Sequence, residues 1–252
     1  MKLKILFEDA HLLVIYKPAG VPVQSARIGT RDCESMLKNY LYEKEPEKGV
    51  PYLGVVHRLD QPVEGLLVFA RTPEAASDLG RQATDGRMKK CYLAIRRTVD
   101  NSVDDVQKNE KKCGKPIKNV DNFVEKWTEQ VDFLRKDGRR NHSETVPAGM
   151  PGAKKAVLRY RVLKQEKGLQ LVEIQLLTGR HHQIRVQMAG LGTPLLGDRK
   201  YGQENSDVDN VENSFPALCA YHLEFIHPKT KKHLQFEIRP ENPAFQKMTG
   251  EI

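Results

Sequence analysis

The sequence of 252 residues lacks the features that direct a chain to a membrane or to an oxidising compartment. Its four cysteines lie far apart and form no CxxC pair, so they indicate neither a zinc ribbon nor a disulfide framework. No stretch approaches the roughly 18 apolar residues of a membrane helix. Glu8 and Asp9 also interrupt the apolar start before it could form the core of a signal peptide. We therefore expect a cytoplasmic protein without a membrane anchor.

Motifs for metals and nucleotide cofactors are also missing. The histidines at 181, 182, 222 and 227 lack a cysteine or carboxylate set at metal-ligand spacing. The glycines are scattered and form neither a GxGxxG fingerprint nor a phosphate-binding P-loop. The sequence therefore predicts no metal and no small-molecule cofactor.

What the sequence does have is an excess of positive charge. Lysine and arginine total 41 against 33 aspartate and glutamate, which gives a net charge of +8. This balance favours a polyanionic partner such as nucleic acid, but a solvated basic surface explains it equally well. The motifs must decide between the two interpretations.

Hydrophobic patterns predict many strands and few helices. Strand-like runs cover 11–16, 65–70, 89–97, 155–164, 169–177, 222–227 and 233–238. Helical spacing covers 31–43, 72–82 and 179–191, with His181 and Arg185 one turn apart on the last helix. Because the helices interrupt the strands without regular β-α alternation, we predict an α+β fold built on a mostly antiparallel mixed sheet with flanking helices.

The chain from 1 to 252 is predicted to form one domain, since its length suits a single core and no internal repeat divides it. The segment 99–126 differs from the rest because Asp, Asn, Lys and Glu dominate its composition. We predict that this segment is a charged insertion or a mobile loop.

A first candidate for chemistry is the segment His57-Arg58-Leu59-Asp60. It lies between two apolar segments, so Asp60 belongs to a loop with rigid flanks. A carboxylate in such a place can act as nucleophile or general base. An isolated Asp more often caps a turn, and this interpretation stays open for the segment alone.

The second candidate is the run Thr-Gly-Arg-His-His-Gln-Ile-Arg at 178–185, where a strand gives way to a helix. Arg180 and Arg185 can bind phosphate, or one of them can pair with a carboxylate and keep it ionised. Two surface arginines on a solvated helix face are the competing interpretation.

Taken together, these segments resemble the RluA-like family of RNA pseudouridine synthases. The resemblance rests on residues 16–20, 57–60 leading into 65–70, 90–94, 178–185, 197–198, 201–202 and 221–228. It spans nearly the whole chain in the family's order and omits only the charged segment. It implies the pseudouridine synthase catalytic fold and isomerisation of uridine to pseudouridine in RNA, without a cofactor.

The resemblance also implies roles for particular residues. Asp60 corresponds to the carboxylate that attacks the target nucleotide, and Tyr92 to the aromatic residue that packs against the flipped uracil. Arg185 corresponds to the partner that pairs with the Asp. The base must leave the helical stack for this reaction, because its bond to the sugar is broken and remade at another ring atom.

The RNA contacts predicted from the same motifs are mainly basic. Arg58 resembles the side chain that fills the space left by the flipped base, although a phosphate contact or a salt bridge is an equal alternative. The remaining candidates for RNA binding are His57, Lys17, Lys90, Arg180 and Gln183.

Two departures from the family pattern matter. Glu64 stands four positions after Asp60 and would raise its pKa if it faced the site, so we expect Glu64 to point away. The N-terminal S4 RNA-binding module of many relatives is also missing, so we expect the catalytic domain alone, as a monomer, to hold the RNA.

Two other functions compete with this one. An RNA-binding protein that kept the fold and lost catalysis is disfavoured because Asp60, Tyr92 and Arg185 are all present. A carboxylate-dependent nuclease or glycosidase would ordinarily show metal ligands or a second acid, and neither pattern is evident. The sequence leaves open whether the substrate is ribosomal or transfer RNA.

Overall fold

The computed structural model describes residues 2–26, 29–98, 126–202 and 215–249. Its strands are β1 (Lys4–Glu8), β2 (Leu12–Lys17), β3 (Gly54–Val55), β4 (Glu64–Ala70), β5 (Lys89–Arg97), β6 (Thr128–Asp137), β7 (His142–Thr145), β8 (Lys154–Glu166), β9 (Leu169–Leu176), β10 (Leu218–Ile226) and β11 (His233–Glu237). Its helices are α1 (Cys33–Lys44), α2 (Pro73–Asp85), α3 (Gln183–Gly190) and α4 (Pro243–Thr249), and a short 3-10 helix covers Pro46–Lys48.

The described strands form one sheet in the order β1-β2-β4-β10-β5-β9-β8-β6-β7, while β3 pairs with β4 and β11 with β10. Neighbouring strands run antiparallel, except that β4 and β10 are parallel at Cys219 and Ala220. The predicted α+β fold with a mostly antiparallel sheet is therefore confirmed.

Gly65 permits the parallel contact between β4 and β10. Its φ angle is +136°, and a Cβ atom at this position would lie 2.5 Å from the carbonyl oxygen of Ala220. Only glycine lets two backbones approach this closely. The β10 strand therefore lies between β4 and β5, which follow each other in the sequence.

Local sequence signals define the first two helices. Asp32 caps α1, and its carboxylate accepts the backbone N–H of Ser35 while the Ser35 side chain bonds back to the cap. Thr72 caps α2 through the N–H of Ala75, Pro73 occupies the first turn, and Gly86 ends the helix with a left-handed φ. Both helices agree closely with the predicted ranges.

The two faces of the sheet carry separate cores. Side chains of α1 and α3, including Leu37, Ile184 and Met188, pack on one face with Leu59 and Tyr92. Side chains of α2 pack on the opposite face, and α4 covers a third cluster around Phe245. The predicted site residues Asp60 and Tyr92 thus lie at the face covered by α1 and α3.

The structure corrects one boundary. The helix predicted over 179–191 begins only at Gln183, so His181 precedes it, and His182 is its N-cap with a left-handed φ of 54°. The predicted insertion at 99–126 lies outside the described residues except for its last position. Across the ranges that the structure covers, no helix is both long and apolar enough to cross a membrane.

Candidate active site

Asp60 lies in the turn that leads into β4. Its carbonyl oxygen accepts the N–H of Val63 at 3.0 Å, and its neighbours Leu59 and Val63 are buried in the core. These anchors hold the turn, while about 24% of the Asp60 side chain stays exposed. The carboxylate is therefore fixed in position and still accessible from solvent.

Arg185 joins Asp60 to a second carboxylate, that of Asp198. Its Nε and Nη2 atoms each donate to Asp198 at 2.7 Å, whereas Nη1 reaches Asp60 Oδ2 at 3.4 Å. The side chains of Arg185 and Asp198 are 6% and 1% exposed. The predicted contact between Arg185 and Asp60 is present, but the planar fork of the guanidinium binds Asp198, a residue to which the sequence motifs assign no role.

The pKa of Asp60 is raised above its ordinary value. Burial is the largest cause because it disfavours the charged form, and the nearby Asp198 carboxylate adds to it. Arg185 and Lys17 act in the opposite direction without overcoming burial. The pKa of Asp60 therefore stays above its ordinary value although Arg185 lies beside it, because burial outweighs the attraction of the guanidinium.

Tyr92 lies on β5 with its side chain 5% exposed, within the same core as Leu59. Burial raises the pKa of its hydroxyl, and the negative charge of Asp60 raises it further. Within the described ranges no group bonds to the Tyr92 hydroxyl. The phenol stays protonated, and its ring belongs to the core cluster that also contains Leu59, the neighbour of Asp60.

A polar group around His182 and Tyr201 completes the site. The Tyr201 hydroxyl lies 2.6 Å from His182 Nδ1 and accepts the backbone N–H of Ser143 at 2.9 Å. His182 Nε2 faces Asp60 Oδ2 at 3.8 Å. The Tyr201 ring also packs against the guanidinium of Arg185 at 5.1 Å. Both His182 and Tyr201 stand within motifs that resemble the family, but the sequence alone assigned neither of them a role.

His181 connects this group to the turn between β6 and β7. Its ring stacks on that of His182 with centroids 3.7 Å apart. Its nitrogens bond to Ser143 Oγ at 2.8 Å and to Asn141 Oδ1 at 3.0 Å. The turn that carries Asn141 is therefore held directly beside the site.

The structure separates the predicted RNA-binding residues into two groups, and the first is accessible. Arg58 is exposed and donates to Gln24 Oε1 at 2.8 Å, and Arg180 is exposed and donates to the carbonyl of Lys155. Lys90 is partly buried, which lowers its pKa. These three side chains remain candidates for contact with RNA.

The second group is turned inward. Lys17 is 0% exposed and gives its three ammonium protons to the carbonyls of Pro18, Val21 and Gln61. Gln183 is 3% exposed and bonds to Thr178, Arg180 and Val157. The structure contradicts an RNA contact for both, because every polar atom of these side chains is already engaged inside the protein.

His57 is also better explained by the fold than by RNA. Its Nε2 accepts the N–H of Val68 at 3.4 Å, and its Nδ1 is buried without a partner among the described residues. Burial lowers the pKa of His57 to about 3, so the ring is neutral and carries no charge for a phosphate.

Glu64 points away from Asp60, as expected. Its carboxylate accepts the Tyr16 hydroxyl at 2.6 Å and the backbone N–H groups of Glu241 and Asn242. It is 3% exposed and ties β4 to the segment before α4. In the part of the chain that the structure describes, no cluster of three or more His, Cys, Asp or Glu residues could hold a metal ion.

The geometry leaves one oxygen of Asp60 open. Arg185 and His182 both face Oδ2, and no described group donates a hydrogen bond to Oδ1. A carboxylate with one anchored and one open oxygen, placed beside a buried tyrosine, is a site for nucleophilic or general-base chemistry on a ligand that enters from solvent. The fold is thus α+β, and its candidate site holds a carboxylate whose Oδ1 accepts no hydrogen bond from the described residues.

Comparison with known proteins agrees with this description. A profile of the RNA pseudouridylate synthase family matches residues 11–190. The ribosomal large subunit pseudouridine synthase D of Nitrosomonas europaea is 35% identical over 243 residues, covering 93% of this chain and 61% of that protein. The protein of the same name from Zymomonas mobilis is also 35% identical and is covered over 68% of its length.

A solved structure supports the fold independently. The structure of human RNA pseudouridylate synthase domain containing 4 superimposes with a TM-score of 0.69 at 23% identity, over 94% of this chain and 89% of that one. The chain belongs to the RNA pseudouridylate synthase family, which confirms the resemblance inferred from the motifs. It spans about three fifths of the length of the Nitrosomonas relative.

Proposed function

We propose that this chain isomerises uridine to pseudouridine in RNA, with Asp60 as the catalytic carboxylate and no cofactor. The observation that carries the proposal is the open Oδ1 of Asp60, whose other oxygen is held by Arg185 beside Tyr92. Membership of the RNA pseudouridylate synthase family supplies the reaction class.

The residues suit the steps of this reaction. The bond between uracil N1 and the ribose breaks, the base turns within the site, and C5 bonds to the ribose and releases its proton. Asp60 displaces the uracil from ribose C1′ through its open oxygen, and C5 of the turned base then displaces Asp60 as it bonds to the same carbon. The ring of Tyr92 packs against the flipped uracil. Arg185 favours the ionised form of the carboxylate and so offsets part of the effect of burial.

Release of the C5 hydrogen gives a direct test. Purified protein is incubated with RNA stem-loops carrying tritium at uridine C5, and tritiated water is measured over time. We expect one tritium released per target uridine in the absence of any metal or cofactor. RNA tritiated at cytidine C5 is the control and should release none. No release from fragments of ribosomal RNA or from transfer RNA would contradict the proposal.

An exposed basic surface beside the site provides the RNA contact. We call it the basic rim; it consists of Lys136, Arg139, Arg140, Lys155, Arg180 and Lys200. Lys200 donates to the carbonyl of Asn141, and Arg180 donates to that of Lys155. Lys136 and Lys200 lie close enough to lower the pKa of His182. We propose that the rim contacts phosphates on either side of the flipped base.

The rim predicts a salt-dependent contribution to RNA affinity. Replacing Arg139 and Arg140 together by glutamine should weaken binding of a stem-loop and reduce the salt slope of binding by about one to two, because a protein that neutralises fewer phosphates displaces fewer counterions. The rate on saturating RNA should change little. Filter binding at several salt concentrations measures both the affinity and the slope.

The matched control removes the same charge from the opposite face of the sheet. Arg81 on α2 and Arg87 just after it are 71% and 50% exposed. Replacing both by glutamine should leave the salt slope unchanged. Equal effects from the two double variants would show that net charge, rather than the rim, holds the RNA.

The substrate and setting of the chain are also proposals. The Nitrosomonas and Zymomonas relatives are named as synthases of the large ribosomal subunit, and we propose structured ribosomal RNA as the first substrate to test, with transfer RNA as the alternative. We also propose that the chain acts as a monomer in the cytoplasm, a compartment that the scattered cysteines favour.

A further inference from the structure

Both groups that approach Asp60 face the same oxygen. Arg185 Nη1 lies 3.4 Å and His182 Nε2 3.8 Å from Oδ2. The longer distance becomes a hydrogen bond if the two groups move about 0.8 Å closer, and such contacts often tighten when substrate binds. If His182 Nε2 is a bare nitrogen, it repels the carboxylate. If it carries a hydrogen, it holds the carboxylate as a hydrogen-bond donor.

The Tyr201 hydroxyl determines which nitrogen of His182 carries the hydrogen. Its oxygen already accepts the backbone N–H of Ser143 at 2.9 Å. Its own proton needs an acceptor, and the nearest one in the described structure is His182 Nδ1 at 2.6 Å. If Nδ1 accepts this proton, the single hydrogen of a neutral imidazole must be on Nε2. His182 then presents an N–H donor to Asp60.

The surroundings keep His182 neutral. Burial lowers its pKa to about 3, and the nearby His181, Arg185, Lys200 and Lys136 lower it in the same direction. Burial also raises the pKa of the Tyr201 hydroxyl, so that it keeps the proton it donates. Neither ring therefore changes its protonation state near neutral pH.

The backbone and the neighbouring rings fix the direction of this donor. His182 has a left-handed φ of 54°, a conformation that residues other than glycine rarely adopt. The ring of His181 stacks on one side and the edge of Tyr201 packs at 5.5 Å on another. A strained backbone supported by packing on two sides is typical of a residue held in place for function.

We propose that His182 is a positioning residue for Asp60. Its Nε2–H, set by the Tyr201 hydroxyl, holds Oδ2 together with Arg185, so that Oδ1 is the oxygen directed at the nucleotide. This role rests on the proposed isomerisation of uridine. The ring of His181 stacks on that of His182 and supports this position. Asn141, in the turn that carries part of the basic rim, bonds in turn to His181.

Kinetics of matched variants test the role. Tyr201→Phe removes only the hydroxyl, and His182→Ala removes the donor itself. Each should slow single turnover on saturating stem-loop RNA by roughly tenfold to a hundredfold, because a misplaced carboxylate attacks less often. The dissociation constant for RNA should stay within about twofold, since neither group belongs to the basic rim. His182→Gln, whose amide N–H can reach Asp60, should restore part of the rate.

Tyr221→Phe is the matched control. It removes a hydroxyl with an equally short bond, 2.6 Å to Glu173, but Tyr221 packs with the cluster of α4. Its turnover should equal that of the wild type. If Tyr201→Phe and Tyr221→Phe turn over equally fast, the positioning role is wrong.

Nitrogen-15 NMR of histidine-labelled protein reads the tautomer without any assay of activity. The His182 signals, identified by their loss in His182→Ala, should show a protonated Nε2 and a bare Nδ1 at neutral pH. In Tyr201→Phe they should shift toward the other tautomer. A wild-type protein with the proton on Nδ1 would overturn the inference. If the wild type converts no uridine, the proposed function fails, whereas an active wild type with unaffected variants overturns only the role of His182.

Discussion

Replacing Asp60 by asparagine should reduce single turnover by about a thousandfold or more while leaving RNA affinity nearly intact. The amide has the same shape and keeps an oxygen for Arg185, but it is neither a nucleophile nor a base. Stability should not fall. Because the folded pKa of Asp60 is raised, its ionised form destabilises the native state at neutral pH, and the neutral amide removes this effect. Tritium release and urea denaturation measure the two quantities.

The control is Asp78→Asn on α2, which should behave in the opposite way. Asp78 bonds to Lys231 and Gln82, and its pKa is lowered, so its charged form stabilises the fold above the unfolded pKa. Loss of that charge should reduce stability and spare turnover. Turnover by Asp60→Asn near the wild-type rate would remove Asp60 from the mechanism.

Replacing Arg185 by methionine should damage both folding and turnover. The Asp198 carboxylate, 1% exposed, would lose its two charge-assisted hydrogen bonds. An uncompensated buried charge costs about 3–5 kcal/mol of unfolding free energy. Single turnover should fall by about a hundredfold or more, because Asp60 loses its nearest cation. Arg185→Lys should be intermediate in both measurements, since an ammonium cannot bond to both carboxylates in the geometry of a planar fork.

Arg135→Met provides the comparison for a surface pair. Arg135 also forks onto a carboxylate, that of Glu144, but the two side chains are 43% and 48% exposed. Loss of the Arg135 side chain should lower the free energy of unfolding by at most about 1 kcal/mol.

The salt slope of RNA binding should be unchanged in Arg185→Met, because Arg185 is buried and its donors are occupied. A reduced slope with normal stability would instead indicate a phosphate contact.

Much of the fold could be predicted because its signals are local. Asp32 and Thr72 cap their helices by bonding to backbone atoms three residues away, so the sequence alone reveals the helix starts. Along β11, exposed and half-buried side chains alternate, and this pattern is equally visible in the local sequence. The late start of α3 was missed because His182 adopts a left-handed φ, which neither its residue type nor apolar spacing indicates.

The residues of the candidate site were harder to predict from the sequence than the fold. Asp60, Tyr92 and Arg185 follow from motifs, and the structure brings them together. Lys17 was misassigned because lysine is rarely buried, and only the folded turn supplies the three carbonyls that accept its protons. The bond between Arg185 and Asp198 depends equally on tertiary structure, since no spacing rule relates a helix to the loop beyond it.

The place of β10 in the sheet determines when the candidate site can be assembled during synthesis of the chain. A nascent chain that has left the ribosome as far as α3 already contains Asp60, Tyr92 and Arg185. It still lacks the strand that joins β4 to β5, because β10 begins only at Leu218. Folding therefore waits for a contact between distant parts of the chain, the slow step for sheets of this kind. A chain made only as far as α3 therefore carries every proposed catalytic group but lacks the completed sheet that holds these groups together.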